Sequence, residues 1–181
     1  MRWVVIGVAA LVIAGAAAAL VVVKPDLARA RDRVDLRWTP LREPLDTRYQ
    51  TLAGVATALD SAGAADRAAT LALDDALARW SKLALRGPKH TNAAVEAKTA
   101  NELEALARRV RANIAGSDRL AANPAVTGAL LAFDQAVVPV PTITAYNRAV
   151  RQYEDERSGT IRRLVADAFS YEPRSLLLVG G

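Results

Sequence analysis

The side chains able to do chemistry are few and poorly grouped. His90 is the single histidine and there is no cysteine. Disulfides and thiolate metal sites are therefore excluded, and one imidazole cannot complete a common zinc set. A di-iron site inside a helical bundle needs Glu-x-x-His pairs, and none occurs. A Ser-His-Asp triad would have to recruit His90, yet no Gly-x-Ser-x-Gly turn exists to present a strained nucleophile, and no Gly-rich phosphate loop is found either. The carboxylates of Asp74-Asp75 and of Glu154-Asp155-Glu156 are chain neighbours. On a helix such neighbours point in different directions, so they read as solvated faces rather than an acid–base pair. The expectation is no catalytic residue, no metal, no cofactor and no enzymatic activity.

Three groups keep some capacity for binding. Arg108, Arg109 and Arg111, with Arg119 beyond them, offer a basic face for lipid headgroups or an acidic partner. Arg157 falls where the apolar seam of its helix should continue. It is either buried with a carboxylate partner or snorkels at a break near Gly159. Tyr146 lies on a core stripe, while Asn147 sits about 100° around the helix, where it can reach a neighbouring helix or a partner.

The elements that must position these groups are all helical by period. Leu45, Tyr49, Leu52, Val55 and Leu59 recur at steps of four, three, three and four, and Gly63 ends that run. A second helix from about Asp66, its N-cap, carries Leu73, Leu77, Trp80 and Ala84 up to Gly87-Pro88. A third opens at Thr91 or Asn92 and presents Leu103, Leu106, Val110 and Ile114 before Gly116. Asn123-Pro124 reads as N-cap and first-turn proline of a fourth, with Val126, Leu130, Phe133 and Val137, interrupted by Pro139 and Pro141. A fifth is expected from Thr142 to about Phe169, with Ile143, Tyr146, Val150, Tyr153, Ile161, Leu164 and Ala168 on its seam. Wide apolar stripes joined by short turns predict an all-α, coiled-coil-like, antiparallel up-and-down bundle. Leu176 to Val179 form an apolar tail that covers the bundle's end, lies at a bilayer interface or docks on another protein.

Upstream of the bundle, Trp3 to Val23 holds no charged or strongly polar side chain and is bracketed by Arg2 and Lys24. As a helix it spans roughly 30 Å, the thickness of a bilayer's hydrocarbon core, and only a helix would satisfy its backbone in lipid. A cleaved secretory signal is the alternative, since Ala16 to Ala19 supply small residues. Against it stand the single Arg in the n-region, the length of the run and its continuation through Leu20 to Val23. Lys24, Arg29, Arg31, Arg33, Arg37 and Arg42 follow the span, against Arg2 alone before it. The positive-inside rule then places a short N-terminus outside and the body in the cytoplasm. That helix is expected to continue to about Arg37, with a kink or joint over 38–44 at Pro40 and Pro44. Beyond the span the formal charge is about +4, since 23 basic residues face 19 acidic ones. This modest excess suits anionic headgroups. Nucleic acid is not expected, because stacking aromatics and binding motifs are missing.

Three patches carry a family likeness. Leu45-Asp46-Thr47-Arg48-Tyr49-Gln50-Thr51-Leu52-Ala53-Gly54-Val55 resembles a Leu-x-x-Arg-x-Asp-Leu-Ile-Pro-Asn-Leu segment. Leu120-Ala121-Ala122-Asn123 resembles Leu-Lys-Ala-Asn, and Ala145 to Tyr153 resembles Arg-x-x-Tyr-Asn-x-x-Val-x-x-Tyr-Asn through Tyr146, Asn147, Val150 and Tyr153. Phe169 to Pro173 is similar to a closing Gly-Phe-x-Pro stretch. In order and spacing the chain resembles the LemA family of bacterial membrane-anchored proteins from about Arg33 to Arg174. It departs at Gln50, Thr51, Ala53 and Gly54, at Ile143 and at Glu154. The resemblance implies an N-terminal span, an up-and-down bundle and no settled activity.

The organisation expected is a transmembrane anchor at 1–23, a juxtamembrane connecting segment at 24–44, a LemA-like bundle at 45–175 and an apolar tail at 176–181. The function expected is a non-enzymatic, single-pass scaffold or adaptor for envelope proteins, with the membrane and another envelope or membrane protein as partners. A lipid-surface organiser acting through the basic juxtamembrane residues is the second reading, and a secreted bundle after signal cleavage the third.

Overall fold

A computed structural model describes residues 21–64, 68–86 and 92–179. The regular elements among them are helical, in an antiparallel all-α bundle. In chain order they are α1 (residues 21–38), a 3₁₀ turn (Thr39–Leu41), α2 (Arg42–Ser61), α3 (Ala68–Ala84), α4 (Ala93–Ala115), α5 (Asp118–Ala121), α6 (Pro124–Gln135), α7 (Val140–Arg157) and α8 (Thr160–Ala168). The residues of the proposed span before Val21, Asp66, Gly87-Pro88, His90 and Thr91 lie outside the described residues.

The expected joint over 38–44 is a local tightening. Pro40 occupies the opening of the 3₁₀ turn, and Trp38, Leu41 and Arg42 all keep right-handed helical dihedrals, so α1 leads into α2. Proline is tolerated there because a first-turn N–H has no intrahelical partner to lose. The segment 24–44 places Leu27, Val34, Trp38 and Leu41 wholly out of solvent. Trp38 meets Tyr146 of α7 edge-on at 5.0 Å between ring centroids.

Helix ends follow their local chemistry. Gly63, at φ +68°, closes α2 in a Schellman cap in which the Ala64 N–H donates back to Leu59 O at 2.9 Å. Asn92 caps α4 by accepting from the Val95 N–H, and Asn123 caps α6 by accepting from Ala125 and Val126. The stripes expected on α2 and α4 are buried. Packing runs α2 against α6 and α3, and α3 against α4.

Three expectations are corrected. Between the third and fourth predicted helices the chain forms the short α5. Val137 is exposed and Val138 buried, because α6 stops at Gln135 and helical period no longer governs position 137. The long fifth helix is two: α7 ends at Arg157, and Gly159 adopts φ +93°, ψ 146°, which an L-residue rarely enters. The break rotates the seam, so Val165 and Ala166 are buried while Ile161, Leu164 and Ala168 face outward.

Candidate functional site

The feature that draws most of the singled-out residues together is a C-terminal strap. α8 ends in a second Schellman cap: the Tyr171 N–H donates to Ala166 O at 2.8 Å and Ser170 takes φ 55°. The chain then runs extended and antiparallel to α7. Along α7, positions 146, 150, 153 and 157 share one face, and this face meets the strap in reverse order. Arg157 Nε donates to Tyr171 O at 3.0 Å, Tyr153 OH to Glu172 O at 2.9 Å and Tyr146 OH to Ser175 O at 3.1 Å. Glu154 Oε1 accepts from the Arg174 N–H at 2.6 Å. Asn147 holds both backbone groups of Leu177. Asn101 of α4 holds Leu176 O and the Leu178 N–H at 2.7 and 2.8 Å. Leu177, 1 % exposed, enters the main core, so the tail packs along the bundle.

Electrostatics reinforce the strap. The side chain of Arg174 is buried and its Nη2 stands 3.0 Å from Asp35 Oδ1 on α1, while its hydrogen bond goes to Oδ2 at 3.3 Å. Asp35 Oδ1 is thus buried with charge attraction but no hydrogen bond. Burial raises the Asp35 pKa, and Arg174 and Arg31 offset part of that rise. Burial likewise pushes the Tyr146 and Tyr153 phenols upward. Arg157 is half-buried and carboxylate-paired rather than snorkelling free, with Nη1 2.7 Å from Glu154 Oε2.

Two further ion pairs lie inside the bundle, and sequence reading passed over them. Arg48 on α2 grips Glu104 on α4 through Nε and Nη2 at 2.7 and 3.1 Å. Its Nη1 donates to Phe133 O and Ala136 O at 3.2 and 3.0 Å, satisfying carbonyls at the end of α6. The guanidinium lies 4.0 Å from the Phe133 ring centroid. Glu96 accepts from Trp38 Nε1 at 2.5 Å and from Arg42 Nε at 3.2 Å. Tyr49 donates to Ala100 O at 3.2 Å, and its phenol is pushed well up by burial and by Glu104. A cleft of about 260 Å³ opens beside Arg42, Asp46, Trp80 and Glu96. Glu43 lines it too, and of its polar groups Arg42 is engaged with Glu96 and Asp46 with Trp80 Nε1 at 3.2 Å. These contacts fix how the helices pair; they do not poise a nucleophile.

A signal for the missed residues existed. Arg48 stands three after Leu45 and four before Leu52, on the stripe itself. Glu96 and Glu104 are spaced with Ala93, Ala97, Ala100 and Ala107, and an alanine stripe does not advertise a buried face. Asn101 carries no such mark.

The remaining expected site residues are dispersed. Trp3 lies outside the described residues, and Val23 is packed in a small second cluster with Leu27, Val165, Ala166 and Tyr171. Lys24, Arg29, Arg31, Arg33 and Arg37 are exposed along α1, with Arg29 paired to Asp26 at 2.6 Å and Arg31 3.7 Å from Asp35. Arg108 and Arg109 are exposed on α4, whereas Arg111 pairs with Asp134 and Arg119 donates to Ala62 O at 2.5 Å. The basic cluster is therefore partly consumed by helix–helix contacts. Leu120 and Val150 are core residues. Glu154, read as part of a solvated run, is a strap partner, and Glu156 pairs with Arg162.

Among the described residues, no group of three or more His, Asp or Glu side chains is placed to hold a metal ion. Nor is any single described helix long and apolar enough to cross a membrane. α6 and α7 together have the composition of a span but are bent by 63°, and they turn Phe133, Tyr146 and Tyr153 into the core. The class so defined is an all-α bundle fastened by an extended strap. Comparison with protein-family models, curated proteins and solved structures finds no match.

Proposed function

We propose that the chain is a LemA-like, membrane-anchored, non-enzymatic bundle that serves as a scaffold or adaptor for envelope proteins, with its short N-terminus outside and its body in the cytoplasm. The observation that carries this reading is the continuity of the first helix. The apolar run from Trp3 ends at Val23, and residues 21–38 form one helix that passes from there into the core through Leu27, Val34 and Trp38. A body joined in this way is held at a set height and orientation rather than on a loose tether. The positions on which the LemA likeness is drawn, Tyr146, Asn147 and Tyr153, all act on one structural device, the strap that begins at Tyr171.

Crosslinking in intact membranes followed by mass spectrometry tests the role. Specific envelope proteins are the expected catch, and lipid alone would count against an adaptor. Because the chain has no cysteine, single introduced thiols report the side of the membrane directly. The exposed Lys24, Arg33 and Arg37 favour the second reading, a lipid-surface organiser, in which high salt abolishes the effect on membranes.

A further inference from the structure

α8 exposes large apolar side chains while its other face packs on the start of α1. Val165 and Ala166 pack on Val23 and Leu27, while Ile161 and Leu164 are exposed by 60 % and 65 %. Val21 and Val22, at the start of α1, are exposed as well. Scattered apolar residues on a surface need no explanation. Here Ile161 and Leu164 belong to a helix that packs on the end of the apolar run.

The contacts also fix where α8 sits. Arg162 Nη2 stands 4.0 Å from Asp26 Oδ2, and Lys24 Nζ lies 4.3 Å from the Phe169 ring centroid. Residues at both ends of α8 are thus tied to Lys24 and Asp26, beside Val23 and Leu27. A bilayer that α1 enters at Val23 would have α8 at its surface.

Composition matches that position. Positions 161, 164 and 168 form an apolar stripe, Asp167 borders it three residues after Leu164, Arg163 is turned furthest from it, and Lys24, Arg29, Arg162 and Arg163 outnumber Asp26, Glu156 and Asp167 around it. We propose that α8 is an interfacial helix, set by Val23 and Leu27 to lie on the lipid surface, with Ile161, Leu164 and Ala168 in the acyl boundary and the neighbouring basic side chains among anionic headgroups. The proposal rests on reading Trp3–Val23 as an anchor, and it adds a second membrane contact more than a hundred residues downstream. It also gives the Gly159 break a purpose, since the break turns Val165 and Ala166, rather than Ile161 and Leu164, onto Val23 and Leu27.

The test uses the full chain, whose lack of cysteine permits single nitroxide labels at V21C, L164C and R163C. Each is reconstituted in phosphatidylcholine–phosphatidylglycerol vesicles, and collision with oxygen is compared with collision with a water-soluble nickel chelate. The expected result is oxygen-rich, nickel-shielded labels at positions 21 and 164 and a nickel-exposed label at 163. Melting in detergent should be unchanged, because all three positions are exposed. A shielded position 21 with a nickel-exposed position 164 overturns the interfacial helix and leaves the anchor standing. Dipolar broadening between copies labelled at 164 overturns it in favour of a second chain. If position 21 is also nickel-exposed and the protein fails to float with the vesicles, the anchor has failed first and the proposal falls with it.

Discussion

Asn147 grips Leu177 by both of its backbone groups: Nδ2 donates to Leu177 O at 3.0 Å, and Oδ1 accepts the Leu177 N–H at 2.8 Å. In an extended segment the N–H and C=O of one residue point to the same side, and those of its neighbours point to the other. Asn101 takes that other side, through Leu176 O and the Leu178 N–H. Two side-chain amides from α4 and α7 thus stand where flanking strands would be. The tail's polar backbone is satisfied while Leu177 drops into the core.

Removing the Asn147 amide should therefore cost more than a surface change. At about 0.5–1.5 kcal/mol per hydrogen bond, N147A is expected to lose about 1–3 kcal/mol in urea denaturation. Truncation after Arg174 should lower the melting temperature as well, because it also exposes the Leu177 pocket. In the truncated chain N147A should be nearly silent, since its partner is gone; additive losses in the double-mutant cycle would contradict the clasp.

Arg48 and Glu104 form a buried bidentate pair with both side chains almost out of solvent. R48A and E104A should each destabilise by about 3–5 kcal/mol, because either leaves a buried charge unpaired. Replacing both together, as R48M with E104L, should recover most of that loss. R48K should not rescue R48A fully, since an ammonium cannot reproduce the fork that also reaches Phe133 O and Ala136 O. Chemical denaturation of the four variants separates the outcomes.

Backbone strain is testable at two positions of opposite sign. Ser170 adopts φ 55° in the cap that starts the strap, so S170G should stabilise by about 1 kcal/mol. Gly159 has φ +93° with open space around its Cβ position, so G159A should lose about 1–3 kcal/mol through the backbone alone. Thermal melts of the two variants should move in opposite directions.

Asp35 makes a pH prediction. Its carboxyl is raised above 3.8 by burial, opposed by Arg174 and Arg31 and reinforced by Asp32. A raised pKa means that the folded state prefers the protonated form. This contribution is fully present below pH 3.8 and is lost as pH climbs through the raised value. Relative to wild type, D35N should gain melting temperature as pH rises from that acid limit toward neutrality. A difference between the two proteins that is flat across this window would contradict the assignment.

The helical stripes were legible because a seam of large residues has one period and one meaning. Leu45, Tyr49, Leu52, Val55 and Leu59 are all buried, and the caps at Asn92 and Asn123 act at the residues their chemistry nominated. The same logic misplaced Ile161, Leu164 and Ala168, since a single glycine with positive φ resets the phase of everything after it. Arg48, Glu96 and Glu104 were overlooked because a charged residue on a stripe becomes intelligible only when its counter-charge, more than fifty residues away, is seen beside it.

By itself the sequence determined the all-α class, the helix ends at Gly63, Gly116 and Asn123 and the apolar run before Lys24, since each depends on residues a few positions apart. Only the tertiary structure decided that Asn147 and Asn101 clasp the tail, that Arg174 reaches Asp35 and that α8 packs on α1. Those relations join distant parts of the chain, and the free energy that selects them exists only once the helices have packed and excluded water from between them.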